Sequence, residues 1–402
     1  MRKFDSFFLM NTDDVRRYAV EVLHRFDTDE ETECREIGDG NINYVFQVRS
    51  LRDGHSVIVK QADRLLRSSG RPLDLYRNKI EAAILKLEGE LAPGLVPEVY
   101  YYDETMAATS MEDVSACRNL RRELMADRFY PHLSEKISSF LADTLLPTTD
   151  LVMDAEEKKR RVQFYTNPEL CKITEDLVLT EPYYDYKGRN ILTKGNETFV
   201  RTFLYSDEAL HAEVAKLRLG FMNNAQALLH GDLHTGSIFV KKDSTKVFDP
   251  EFAFYGPMGY DIGNVIANLI FAYDNGAAAG DEAFCGWVLD TIRETVDLFI
   301  SKFLKAWDES VTEPMAKVEG FREAYLKSIM SDTAAYTGTE LHRRTVGMAQ
   351  VKDVNTIADP EKRAYAKKLN IIAGKDYILN RESFFDGQSF TDAVKRAEAA
   401  LK

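Results

Sequence analysis

The chain has 402 residues, 45% of them hydrophobic and 29% charged, which is the make-up of a folded globular protein and excludes disorder or low complexity as its main character. That length is more than one core usually fills and suits a two-lobed enzyme. Acidic residues outnumber basic ones 65 to 52, and the net charge of −13 disfavours a general nucleic-acid or anionic-membrane binder, leaving small molecules as the expected partners.

The apolar run at 7–10 is far short of a signal-peptide core, so no export signal is expected. No stretch approaches the roughly 20 apolar residues that span a bilayer, and even 262–273 is interrupted by Gly263, Asn264 and Asn268. Cys34, Cys117, Cys171 and Cys285 are scattered, with neither CxxC nor CxxxH spacing, so they suggest no zinc site and no disulfide framework. Reduced thiols in a cytoplasm fit this pattern.

Asn11, Thr12 and Asp13 can cap a helix in which Val15, Tyr18, Val22 and Phe26 recur at helical spacing. Strand-like runs follow at 35–37, 44–48 and 56–59, the last two separated by a turn at Arg52, Asp53 and Gly54. Residues 75–87 read as a helix containing Glu81, and 98–111 returns to strand-like composition. A small β-rich lobe over about 30–111 is therefore expected. Beyond residue 112 the pattern is mostly helical, through 133–145, 209–229, 283–307 and 319–329, with short strands at 237–240 and 246–248.

Gly38-Asp39-Gly40-Asn41-Ile42-Asn43-Tyr44-Val45 lies between candidate strands and has the texture of a phosphate-cradling loop, with Asn43 where a third glycine is usual. Asn tolerates positive φ, and small residues let backbone amides approach phosphates. A simple hairpin turn would explain this segment equally well by itself. Lys60 ends an apolar strand about 15 residues later, where a lysine can reach nucleotide phosphates. Glu81 can pair with Lys60, or can share a solvated face with Glu88 and Glu90.

His230-Gly231-Asp232-Leu233-His234-Thr235-Gly236-Ser237, followed by Asp249-Pro250-Glu251, carries the strongest signal. In phosphoryl transfer an Asp accepts or orients the acceptor's hydroxyl proton, a residue five positions on helps hold metal, and a later Asp binds Mg²⁺. Those positions are Asp232, Ser237 and Asp249 here, and Glu251 adds a second hard oxygen donor. His230 reads as a hydrogen-bonded loop buttress.

The catalytic-loop segment with Ser237, together with Asp249-Pro250-Glu251-Phe252-Ala253-Phe254-Tyr255-Gly256-Pro257 and Gly259-Tyr260-Asp261-Ile262-Gly263, resembles the methylthioribose kinases. These belong to the aminoglycoside phosphotransferase, choline kinase and homoserine kinase group of the protein-kinase-like fold. The resemblance spans about 18–375. It implies an α+β, bilobal protein-kinase-like fold, with a small antiparallel β-rich N-terminal lobe over 1–111, a larger, mainly helical C-terminal lobe over 112–402, and a hinge at 111–114. It also implies use of ATP and Mg²⁺, with adenine held by the backbone at Met111, Glu112 and Val114, and phosphates held by Gly38, Gly40, Asn43 and Lys60. Asp249, Glu251 and Ser237 would hold the metal.

The implied reaction is phosphorylation of 5-methylthioribose at its anomeric hydroxyl, a step of methionine salvage. Asp232 would meet that hydroxyl, and Arg343 and Arg344 would hold the sugar. Taken alone, Arg343-Arg344 reads only as a solvated pair near a helix end, and the resemblance supplies most of this assignment. Relatives carry Trp-Pro where this chain has Arg71-Pro72. A homodimer is implied by the family alone, with neither nucleic acid nor membrane as partner. The rival readings are a kinase of another small hydroxyl compound, such as homoserine, choline or an aminoglycoside, and an inactive nucleotide-binding scaffold; intact Lys60, Asp232, Asp249 and Glu251 argue against the scaffold.

Overall fold

The structure is a computed structural model that describes residues 3–37, 43–65, 70 and 72–402. Gly38, Gly40 and Arg71 lie outside the described residues. The chain divides into two compact units, one of residues 1–117 with 246–252, the other of 118–245 with 253–402.

In the first unit, Asn11 and Asp14 form a reciprocal capping box that starts helix α1 (Thr12–Glu21). Its apolar face delivers Val15, Tyr18 and Ala19 to a core shared with Phe46, Val48, Val57 and Val59. Strands β1 (Thr32–Glu36), β2 (Asn43–Ser50) and β3 (Ser56–Ala62), helix α2 (Tyr76–Leu91) and strands β4 (Val99–Asp103) and β5 (Ala108–Glu112) complete the unit's regular elements. The sheet is antiparallel throughout, in the order β1-β2-β3-β5-β4, so β3 lies at its centre. Residues 246–252 return to this unit. There Val247 N–H donates to the Leu95 carbonyl at 2.7 Å, and Lys246 Nζ donates to Glu112 at 2.9 Å.

The second unit is mainly helical. Strand β6 (Arg118–Asn119) is followed by α3 (Leu133–Leu145), α4 (Glu208–Asn223), β7 (Ala227–Leu229) and β8 (Ile238–Lys241). A strand, β9 (Ser244–Val247), leads out to the 246–252 segment, and the unit resumes with β10 (Phe254–Gly256). Long helices follow: α5 (Gly259–Ala279), α6 (Glu282–Ser310), α7 (Phe321–Val346), α8 (Pro360–Leu379) and α9 (Gly387–Leu401).

A small antiparallel sheet with a mostly helical remainder is the α+β division expected from the sequence. The helix expected over 209–229 is shorter, because the backbone leaves helical geometry at Asn224 and Ala227, Leu228 and Leu229 form a buried strand paired with β10. Helix α7 runs well past the expected 319–329, and α5 was not anticipated at all.

Helices α5 and α7 are in near backbone contact. A Cβ at Gly259 would lie 2.6 Å from the Thr333 nitrogen, and one at Gly263 would lie 2.7 Å from the Thr337 nitrogen. Only residues without a side chain allow this approach, which fixes Asp261 on α5 and the last turns of α7 in one rigid layer. Among the described residues no helix is long and apolar enough to cross a membrane. No disulfide joins the four cysteines.

Candidate active site

Two clusters of charged side chains stand out, one in each unit. In the first unit Lys60 sits opposite Thr109 in the middle of the sheet. Its Nζ contacts Glu81 Oε1 at 2.6 Å and ion-pairs with Asp249. Burial opposes its charge, but the carboxylates of Asp249, Glu81 and Glu251 hold the ammonium well above the usual lysine range. Glu81 therefore faces Lys60 and is buried, which removes the solvated-face alternative.

Glu81, Asp249 and Glu251 each place a carboxylate oxygen within 4.8 Å of the others. Burial, and then the charge on Asp249, push the Glu251 carboxyl up to about 8. Glu81 Oε2 has no hydrogen-bond partner among the described residues. Asp249 itself is 39% exposed and adopts φ +68°, an uncommon conformation outside glycine and one often found at functional sites. Three hard oxygen donors, one of them orphaned and one accessible, fit a cation of the Mg²⁺ class.

Asn43 opens β2 opposite Ala62, within the extended ladder. Its side chain donates to Glu251 Oε2 at 3.0 Å and accepts from the buried Arg77 at 3.0 Å. Asn43 thus orients a carboxylate. Met111 and Glu112 lie inside β5, and the Glu112 N–H is spent on the Glu98 carbonyl at 2.8 Å. Val114 follows the strand, its carbonyl accepting from the Cys117 N–H at 2.8 Å.

In the second unit, Gly231 takes φ +82°, and this turn exposes two consecutive backbone N–H groups to one acceptor. Asp261 receives both, from His230 at 2.7 Å and from Gly231 at 3.0 Å, while burial pushes its carboxyl up to about 7 against the pull of these donors. His230 Nδ1 accepts from the Asp232 N–H at 3.3 Å, the buttress role expected. Ser237 donates to the Asp232 carbonyl at 3.1 Å, closing the loop behind the acid.

Arg343 is buried and Arg344 largely covered at the end of α7, so they are not a solvated pair. Glu340, three and four residues earlier, lies on the same helical face. It binds Arg343 Nε through one oxygen and Arg344 Nε through the other, the latter at 2.9 Å. The free ends of both guanidinium groups reach Asp232 Oδ1, at 3.3 and 3.8 Å. Burial opposes ionisation of Asp232, yet the permanent charges of Arg343 and Arg344 hold its carboxyl well below the usual range. His234 lies 3.5 Å from Asp232, and burial among arginines takes it down to about 4, so it is neutral.

The phosphotransferase enzyme family matches residues 175–294. The chain is 42% identical over 352 residues to the methylthioribose kinase of Geobacillus sp. strain WCH70, covering 87% of this chain and 86% of that protein. The chain belongs to the methylthioribose kinase family. The methylthioribose kinases of Geobacillus kaustophilus and Bacillus pumilus are 41% and 40% identical, over 89% and 86% of both chains.

Family membership agrees with the resemblance carried by the catalytic-loop and Asp249-Pro250-Glu251 segments. Three site features were not legible in that resemblance: Glu81 as a third carboxylate, Asp261 as the staple of the catalytic loop, and Glu340 as the clamp on both arginines. Only Glu340 left a local signal, the Glu-x-x-Arg-Arg spacing on one helical face.

Proposed function

We propose that the chain transfers the γ-phosphoryl group of ATP to the anomeric hydroxyl of 5-methylthioribose, giving 5-methylthioribose 1-phosphate and ADP in methionine salvage, and that it works in the cytoplasm as a homodimer. The observation that carries this reading is the Glu340–Arg343–Arg344–Asp232 constellation, which sets a partly exposed anionic acceptor for a hydroxyl proton beside two cations suited to sugar oxygens and to phosphoryl charge.

Lys60 serves the nucleotide phosphates. Adenine recognition falls to the backbone around Met111, Glu112 and Val114, with Val114 beyond the strand end. Glu81, Asp249 and Glu251 would hold Mg²⁺, and Ser237 would offer a neutral oxygen donor. Mg²⁺, when bound, neutralises phosphate oxygens as charge moves toward ADP. The sugar oxygen forms a bond to the γ-phosphorus, the bond from that phosphorus to the β,γ-bridging oxygen breaks, and ADP leaves with its electron pair. The hydroxyl proton moves toward Asp232. Because the arginines keep Asp232 ionised, it acts first as a hydrogen-bond acceptor that orients the hydroxyl, and proton transfer follows as phosphorylation lowers the hydroxyl pKa.

An acceptor panel tests this. ATP-dependent phosphorylation of methylthioribose should exceed that of ribose, choline and homoserine. Comparable or faster turnover of choline or homoserine would reject the sugar assignment, since cationic acceptors call for an acidic pocket.

A further inference from the structure

Arg343 and Arg344 are not the only arginines at the catalytic loop. Arg121, just past β6 in the same unit, has a side chain that is 17% exposed. Its Nη2 donates to Asn268 Oδ1 at 3.0 Å, and its Nε forms an ion pair with the fully buried Asp353 at 3.3 Å. Asn268 also accepts from Thr235 Oγ1 of the catalytic loop at 3.4 Å, and its amide reaches Glu340 Oε1 at 3.4 Å. The carboxylate that clamps the twin arginines therefore belongs to the frame that holds Arg121 as well.

The third guanidinium nitrogen is uncommitted. Among the described residues Nη1 makes no hydrogen bond, and it is not one of the enclosed atoms. A Cβ at Gly236 would lie 3.0 Å from this nitrogen and 2.9 Å from His234 Cε1, so both side chains lean on the same bare stretch of the catalytic loop. His234 in turn meets Asp232 at Oδ2, 3.5 Å away, whereas Arg343 and Arg344 meet Oδ1. Arg121 thus stands with His234 on the Oδ2 side of the carboxylate. Burial costs its guanidinium more than Asp353 returns, and the charges of Arg344, Asp232 and Glu340 all act on it.

We propose that Arg121 is a specificity-determining residue of the acceptor site, its Nη1 donating to the sugar hydroxyl on the carbon next to the anomeric one. The inference rests on the proposed function, in which the anomeric hydroxyl sits at Asp232. Two guanidinium groups occupy the Oδ1 side, so the neighbouring hydroxyl fits on the Oδ2 side, where Arg121 still has a donor to give. A planar fork anchored through two of its nitrogens, on Asp353 and Asn268, can aim the remaining one in a single direction. That is the preorganisation a hydroxyl-reading site needs.

Kinetics of the full chain with methylthioribose and with its 2-deoxy analogue test this. Arg121→Met alone strands Asp353 as an uncompensated buried charge, so it is compared with the double variant Arg121→Met/Asp353→Asn, which removes both charges. The wild type should prefer methylthioribose by at least about tenfold in kcat/KM, because a site built to bond a hydroxyl rejects a sugar that lacks it. Both variants, shown folded by circular dichroism, should lose at least about tenfold toward methylthioribose and less than about twofold toward the 2-deoxy sugar, with the KM for ATP unchanged. Should the single variant misfold, the double variant decides. Arg121→Lys should restore little of the preference, since it keeps the charge and loses the anchored fork. A wild type indifferent to the 2-hydroxyl, or an equal fall on both sugars in the folded double variant, overturns the inference and leaves Arg121 the counterion of Asp353. Absence of wild-type turnover on methylthioribose would reject the proposed function itself, and this inference with it.

Discussion

Glu340→Gln removes one negative charge from beneath two arginines without changing the volume of the side chain. In the native protein each carboxylate oxygen takes one guanidinium Nε, and the opposite ends of both guanidinium groups meet Asp232. Glutamine keeps a single carbonyl oxygen and sets an amide N–H₂ against the other arginine, so one charge-assisted hydrogen bond is lost and a donor faces a donor. A hydrogen bond to a charged group is worth about 1.5–3 kcal/mol. At about 1.4 kcal/mol per decade, kcat/KM for methylthioribose should fall roughly ten- to hundredfold. The KM for ATP should change little, because Lys60 and the carboxylates around it do not involve Glu340. Steady-state kinetics with sugar and ATP varied separately, on protein shown to be folded by circular dichroism, measure both. Sugar kinetics within twofold of wild type would refute the idea that Glu340 aims the arginines, and an equal loss toward ATP would point to general disorganisation.

Asp249→Asn should abolish turnover while leaving a folded protein, since it removes the exposed member of the carboxylate cluster; near-normal kcat would count against its metal role. Gly263→Ala forces a methyl group to within 2.7 Å of the Thr337 backbone, and should cost about 1–3 kcal/mol in urea unfolding with an accompanying loss of kcat/KM for the sugar. His342 is buried between the Tyr183 hydroxyl and the Ile371 carbonyl, both at 3.0 Å, and burial holds it down to about 4. The unfolded chain therefore takes up the proton first as pH falls, so stability present above about 6.5 is lost toward 4, by up to about 3 kcal/mol. His342→Gln should flatten that limb of the stability–pH curve, and an unaltered curve would show that His342 is not its source.

What could be read in the sequence was chemistry carried by contiguous residues. Asp232, Ser237, Asp249 and Glu251 lie within twenty positions, and Lys60 ends a recognisable apolar strand, so their types and spacing spoke directly. Asp261 reaches back thirty residues to the His230 and Gly231 amides, and Glu340 matters because α7 brings the two arginines it holds to Asp232, more than a hundred residues away. Such long-range pairings leave no local trace, and the Glu-x-x-Arg-Arg spacing shows only that Glu340 can meet its two arginines. Secondary structure failed where propensity and packing disagree. The apolar run Ala227, Leu228 and Leu229 extends the helical pattern of α4, yet it is a buried strand. Gly259, Gly263, Asn264 and Asn268 are poor helix formers, yet they sit in α5 because the first two give α7 its close approach. Asn43 stands where a loop glycine is usual, but its side chain orients Glu251.

The central claim, phosphoryl transfer from ATP to the anomeric oxygen of methylthioribose, is tested most directly by ³¹P and ¹³C NMR of the reaction mixture. The account predicts a single sugar phosphate whose phosphorus couples to C1 and to the anomeric hydrogen, formed in equal amount to ADP. A sugar phosphate whose phosphorus does not couple to C1 and the anomeric hydrogen, or ADP accumulating without a sugar phosphate, would contradict it.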